Sequence, residues 1–506
     1  MKFSVNWMSE FTGDLGIPAR ELANLITVKT AEQEGVESIG AHFADVCAAR
    51  VVAVEPIADS RNVRAVVDTG RYGTRTVVCG APNCRVGVVS AYWPLATARI
   101  AGVDSEGMLA SAAELGINRD SAGIVELVAE VGTPLADCLP DAVIEIDNKS
   151  LTHRPDLWGH LGMAREVAAI MGRQLRDPVD LSRVPPGRPT IGVEIEDTTL
   201  CPRYSALVFD NVTVGPSPLW LQYRLEAVGL NSINNVVDVT NYVMAELAQP
   251  MHAFDQDKLC GETIFVRRAR QGEQVTALDS ETYTLDEQAL VIADATGPMA
   301  IAGVIGGMGS CVTASTRRIV LESANFHPAS VRKTSSRLKV RTDASMRFEK
   351  SQDPHNTVRG LARAVDLLKL VSPGIRPVGG LADAGGAPPT APVIELDVAW
   401  LARKLGRATE AAEIRTILEA LGFGVSGAQP GVLAVTVPSW RAAKDISIKD
   451  DLVEEVGRML GYGSIRPTAP AVPATPPPRI RTASSSTAFA RRARARDSTS
   501  PTTTRS

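Results

Sequence analysis

Apolar residues recur along this chain with two periods, and the period changes several times. Near the start, Pro18 and Ala19 open a stretch with Leu22, Leu25 and Ile26 at helical spacing, so residues 1–38 read as a short α/β unit. Residues 39–148 carry short β-rich runs instead, VCAARVVAV, AVVDTG, TRTVVCG and VGVVSAYW, separated by Gly, Asn and Asp. Strands that short and that evenly spaced predict a small barrel. Helical spacing returns at 149–171, where Leu161, Met163, Ala164, Val167 and Ile170 lie on one side, and a linker rich in Asp, Pro and Arg completes a segment over 149–190. A mixed unit follows at 195–372, with strands in ALVFDNV, TIFVRRA, LVIADA and RIVLESA and helices around Leu219–Val228 and Thr357–Leu368. Residues 373–392 are a Pro/Gly/Ala-rich linker. The last patterned unit, 393–466, holds the amphipathic helix AAEIRTILEAL with Gly422 as its stop. ELANLIT…EQEGVESIG near the N-terminus faintly parallels EIRTILEALGFGVSG here. From 467 to 506 the hydrophobic period is lost, which predicts a disordered tail.

Composition narrows the class without naming it. A chain of 506 residues is too long for one core, so several α+β domains are expected. The net charge of −4 gives no global sign of nucleic-acid binding, and any RNA contact would rest on local patches. The seven cysteines are scattered with no CxxC pair, which suits a reducing cytosol. The six histidines show no zinc spacing. Neither a signal peptide nor an apolar run long enough for a membrane span is expected. There is no Walker-type phosphate loop.

The densest candidate chemistry lies near residue 450. In SWRAAKDISIKDDLVEEVGRMLGY, Leu452, Val456, Met459 and Leu460 form an apolar stripe. Asp451, Glu454 and Glu455 share one helix face, and Asp445 lies just upstream. Carboxylates gathered this way suit magnesium. Acidic residues in a first helical turn are equally what the macrodipole favours, so spacing alone leaves both readings open.

These residues have a familiar order. D-x5-DDLVEEV-x-R-x-x-GY-x-x-I-x-P resembles the magnesium-binding helix of bacterial-type phenylalanine–tRNA ligase beta subunits. CGAPN, SEGMLAS and ELGI are similar to that family's tRNA-binding barrel of OB type, and IEIDNKSLTHRPDLWGHLGMARE to the segment leading out of it. CPRYSA, NNVVDVTNYVMAELAQPMHAFD, AIAGVIGG, VLESANF and RTDASMRFEK resemble its central editing module. The resemblance runs over about residues 1–466.

It implies a multidomain α+β fold: an OB-type barrel inserted in an N-terminal α/β unit, a mixed α/β editing module, a winged-helix-like α/β unit and a disordered tail. It also implies a cytoplasmic ligase subunit in a heterotetramer of two alpha and two beta chains. The alpha subunit would bind ATP and charge tRNA(Phe) with phenylalanine. This chain would bind tRNA, hold Mg2+ through Asp445, Asp451, Glu454 and Glu455, and hydrolyse mischarged Tyr-tRNA(Phe). An apolar pocket rejects one added hydroxyl only about 10²-fold, which is why such a ligase needs a second, polar sieve. By motif position, Glu322 would receive the phenol, and His252 and Asn241 would line the pocket near the ester. Gly306, Thr342 and Ala344 would shape its walls and position water.

Read without the family, each residue has a blander role. His252 beside Met and Phe suits a core histidine, Glu322 a strand end, and the glycines of AGVIGGMGS a tight turn. In the barrel, Arg61, Arg64, Arg71, Tyr72, Arg75 and Tyr92 are candidate tRNA contacts, or residues of solvated strand faces. EPIADSRNVRAV departs from the family's HPNADKL-like stretch, and no family sequence follows the acidic helix. The Arg/Ser/Thr-rich tail fits an out-of-frame or truncated end better than a basic RNA-binding arm. Three readings therefore stand: a working beta subunit, a free-standing tRNA-binding and editing protein, or a non-functional frameshifted fragment.

Overall fold

In the computed structural model, residues 1–467 are described apart from 41, 42, 140 and 387, with only the backbone of Cys138. From 468 on, the expected tail lies outside the described residues.

The chain uses one topology twice. Strand Lys2–Ser4, helices Val5–Thr12 and Ala19–Lys29, and strand Gln33–Ile39 are joined by strand Asp141–Ile146, which enters the centre of a three-stranded antiparallel sheet. Strand Val393–Asp397, helices Val398–Leu405 and Ala411–Ala420, strand Gly424–Gln429 and central strand Val432–Thr436 repeat that order. The local chemistry repeats too. Ser4 and Asp397 each end the first strand and cap the following helix through the side chain, accepting from Trp7 N and Trp400 N. Longer helices, His160–Met171 and Lys449–Leu460, follow the two central strands. The faint parallel in the sequence thus corresponds to a repeated unit.

The first copy carries a large insertion. Its sheet runs in the order Thr74–Cys79, Val63–Asp68, Cys47–Pro56, Val89–Trp93 and Met108–Leu109. The Glu106 N–H donates to the Thr76 carbonyl at 2.8 Å and brings the far edges together, giving a near-closed barrel. Small and β-branched residues fill it, among them Ala49, Val51, Ala65, Val67 and Val77.

Between the two copies lies a pair of sheets. One is antiparallel, in the order Met251–Asp255, Ile319–Asn325, Arg203–Asp210 and Arg376–Gly385. The other, in the order Gly192–Ile195, Thr263–Arg268, Leu290–Ala293, Pro298–Ile301 and Ile305–Gly306, packs against it. Helices Asn235–Leu247 and Asn356–Val371 cover the opposite face. Strand Ile319–Asn325 is buried along its whole length. Its alternation sends Ile319 and Leu321 toward the helices and Val320 and Ala324 toward the second sheet. Glu322 shares the parity of Val320 and Ala324. The strand's hydrophobic pattern therefore carries a carboxyl group into an apolar layer, where each buried Val or Leu contributes about 1.5–3 kcal/mol. Glu322 is only 5% exposed, so it is not a solvated strand end.

Candidate functional site

Strand register assembles the site. His252 stands directly opposite Glu322 on the neighbouring strand, and Ala206 flanks Glu322 on the other side. A cavity of about 230 Å³ opens over them, and Asn241, His252, Gly306, Glu322, Thr342 and Ala344 all line it. The six residues come from five separated stretches of sequence. The structure thus brings the whole expected editing set together.

The polar groups there are deliberately under-paired. Burial pushes the Glu322 carboxyl up to about 8, against a smaller lowering by the Tyr204 hydroxyl. That hydroxyl donates to one Glu322 oxygen at 2.8 Å. The second oxygen makes no hydrogen bond among the described residues. Burial lowers His252 to about 4, so its ring is neutral at physiological pH, and its Nε2 is buried without a partner. The ring packs edge-on against Phe254, with centroids 4.6 Å apart. Gly306 makes room for it. A Cβ there would fall 2.9 Å from His252 Nε2 and closer still to Cε1. The glycine is required by close approach at a residue whose φ is not positive. Thr342 is engaged as the cap of helix Asp343–Phe348, accepting from Ser345 N at 3.1 Å and donating to the Val304 carbonyl at 2.6 Å. It fixes a wall and has no hydroxyl proton left for a substrate. Tyr204 was not singled out from sequence. The signal available was its inward parity with Ala206 in CPRYSA.

The acidic helix behaves differently. Asp451 accepts from Ser447 N at 2.7 Å and Ile448 N at 2.9 Å, closing the helix start. Glu455 receives Arg441 at 2.8 Å and the Arg458 Nε at 2.9 Å. Burial opposes its ionisation, yet Arg441 and Arg458 outweigh burial and hold it well below the usual carboxylate range. Arg441 also binds Asp445 at 2.6 Å, leaving Asp445 Oδ1 buried without a partner. Burial raises Asp445 to about 6 despite Arg441 and Arg154. Glu454 alone is exposed. Among the described residues, no group of three or more His, Cys, Asp or Glu is placed to hold a metal. Asp445, Asp451, Glu454 and Glu455, the expected magnesium ligands, are not gathered into such a group in this arrangement. Two are tied to guanidiniums and one to backbone N–H groups, and a hard cation needs those oxygens.

The same network crosses between the two repeated units. Arg154 and Glu166 of the first meet Asp445 and Arg458 of the second, with Arg458 also bonded to Glu166 at 3.1 Å through Nη2.

The barrel residues are scattered in role. Arg64 pairs with Glu55 at 2.7 Å and Arg75 with Glu106 at 3.1 Å. Arg71 and Tyr72 bond the carbonyls of Ala44 and Asp45 at 3.0 Å each. Arg61 is exposed and makes no hydrogen bond or ion pair among the described residues. Tyr92 is 1% exposed, and its hydroxyl bonds the Glu106 carbonyl. It belongs to the barrel core and, buried there, does not present its ring to a base.

Three family models match. One described as "Putative tRNA binding domain" covers residues 46–134, one described as "B3/4 domain" covers 200–372, and one described as "tRNA synthetase B5 domain" covers 394–462. A phenylalanine–tRNA ligase beta subunit of Solibacter usitatus (strain Ellin6076) is 66% identical over 478 residues, 94% of this chain and 62% of that protein. The beta subunit of Anaeromyxobacter dehalogenans (strain 2CP-C) is 40% identical over 98% of this chain and 62% of its own length. That of Salinibacter ruber (strain DSM 13855 / M31) is 38% identical over 92% of this chain and 59% of its own. The chain is similar over most of its length to phenylalanine–tRNA ligase beta subunits and spans about 62% of the length of the first of these relatives.

Proposed function

We propose that this chain acts as a ligase beta subunit that binds tRNA(Phe) and hydrolyses Tyr-tRNA(Phe), while a separate alpha subunit binds ATP and attaches phenylalanine. The observation carrying this reading is the convergence of Glu322, His252, Asn241 and Gly306 on one cavity. With its carboxyl raised to about 8, Glu322 is mostly a neutral acid at pH 7. Its free oxygen is suited to a phenol. A phenylalanyl ring would leave that buried group unpaired, at a cost of about 1–3 kcal/mol. A site built around such a bond discriminates far more strongly than an apolar one. Neutral His252 can accept a hydrogen bond from a cavity water through Nε2, holding it against the ester carbon. Attack would join the water oxygen to that carbon and break its bond to the ribose oxygen, which takes the proton. No nucleophilic side chain is needed, and no step is routed through a metal.

No helix among the described residues is long and apolar enough to cross a membrane. We place the assembly, two alpha and two beta chains, in the cytoplasm with the rest of translation. The test is release of tyrosine from Tyr-tRNA(Phe) by the full chain, alone and mixed with an alpha subunit. Hydrolysis should fall at least tenfold in Glu322→Ala. Hydrolysis unchanged in that variant overturns the assignment.

A further inference from the structure

A second cavity, of about 410 Å³, lies where the two repeated units and the central module meet. Helix His160–Met171 contributes Arg165, the segment before helix Asn356–Val371 contributes Asp353 and His355, and the turn Ser439–Ala442 contributes Trp440. None of these belongs to the editing pocket.

Arg165 is the unusual member. Its side chain is 12% exposed, and its guanidinium stacks 4.0 Å above the Trp440 ring. It makes no hydrogen bond among the described residues. Its ion-pair partner, Asp156, stands 3.7 Å away and already receives Arg154 through two bonds of 2.9 and 2.8 Å. Five N–H donors in a fixed plane are thus left without an acceptor. The Trp440 indole N–H, a donor only, is also buried without one. Burial leads the lowering of Arg165 to about 10, and Asp156 opposes it only in part.

The other charges do not fill the gap. Arg203 is bound to Asp383 at 2.7 Å and Arg359 to Asp177 at 2.9 Å. Asp353 is occupied by Ser439 at 2.6 Å and His355 at 2.9 Å. Arg203 and Arg359 are neutralised by Asp383 and Asp177, so Arg165 is the lining guanidinium whose donors stay unused. Leu161, Leu181, Leu247 and Val358 supply apolar wall. A planar guanidinium with unused donors beside an apolar wall is what recognises an oxyanion attached to an apolar body.

We propose that this cavity binds a small organic oxyanion, a carboxylate or phosphate ester with an apolar group, held by Arg165 and the Trp440 N–H. Occupancy would tie together side chains from all three units.

Titration calorimetry on the full chain tests this with benzoate, phenyl phosphate and inorganic phosphate. Either organic anion should bind saturably and raise Tm, and inorganic phosphate should bind at least tenfold more weakly. Preference between benzoate and phenyl phosphate tells a carboxylate from a phosphate ester. Arg165→Ala should weaken binding at least tenfold. If that variant does not fold, Arg165→Lys, which keeps the charge and loses the planar fork, gives the same readout. Trp440→Phe should weaken binding less. No saturable binding at 10 mM of any probe (roughly the weakest affinity, below 1 mM⁻¹, worth the name of a site), or binding unchanged in both Arg165 variants, overturns the proposal.

Discussion

The Glu322 pocket and the ion-pair joint are both buried, polar and built from residues far apart in sequence, yet they treat their glutamates in opposite ways. At the joint, Glu455 is met by Arg441 and Arg458, and Glu166 by Arg154 and Arg458. In the pocket, His252 Nε2 and one oxygen of Glu322 are left open. An unpaired buried group has a cost, so it persists only where surrounding structure holds it in place. The comparison separates a carboxylate that holds two units together from one that awaits a ligand. Residue type does not make that distinction, since both are buried glutamates.

The largest effect should come from breaking the joint. Glu455→Ala leaves Arg441 and Arg458 facing each other in a buried site and should cost about 3–5 kcal/mol in urea denaturation. A magnesium-dependent rise in Tm that disappears in this variant would break the comparison and return Glu455 to a metal role. Next is Gly306→Ala. The added methyl meets the His252 ring, so overpacking should cost about 1–3 kcal/mol, and release of tyrosine from Tyr-tRNA(Phe) should be lost.

The pH dependence sharpens the contrast. Glu322 rises from 4.5 to about 8 on folding, so the folded chain holds a proton that the unfolded one releases. Its contribution is fully present below pH 4.5 and is lost as pH climbs to about 8. His252, lowered from 6.5 to about 4, acts the other way, and its contribution is lost as pH falls through that range. Urea midpoints between pH 5 and 8 should show a decline attributable to Glu322, flattened in Glu322→Gln. An unaltered slope in that variant would mean that the carboxyl is not buried as described. The smallest effect belongs to Arg61→Ala. It should leave stability within about 0.5 kcal/mol and lower the salt dependence of tRNA binding by about one charge.

Much of the fold was readable. Helix Ala19–Lys29 follows from Leu22 and Ile26, and strand Ile319–Asn325 from the apolar run Ile319 to Leu321 that opens it. The repeated unit was faint in sequence because its likeness resides in strand order and in the caps Ser4 and Asp397, which share chemistry but not identity. Tyr92 was misread for a related reason. An aromatic on a barrel strand points in or out by parity, and its partner Leu109 lies across a strand of only two residues, too short to carry a pattern.

By itself, the sequence determined the main helices and strands, the apolar face of the longer ones, and which family the ordered motifs resemble. Those are local properties, set by backbone period and turn chemistry over a few residues. Only the tertiary structure decided what meets each face. It brought Tyr204 to Glu322 and placed a neutral histidine opposite. It also supplied Arg441 and Arg458 to an acidic helix whose spacing alone suited a cation. A carboxylate's role follows from its partner, and that partner is fixed by packing between distant segments.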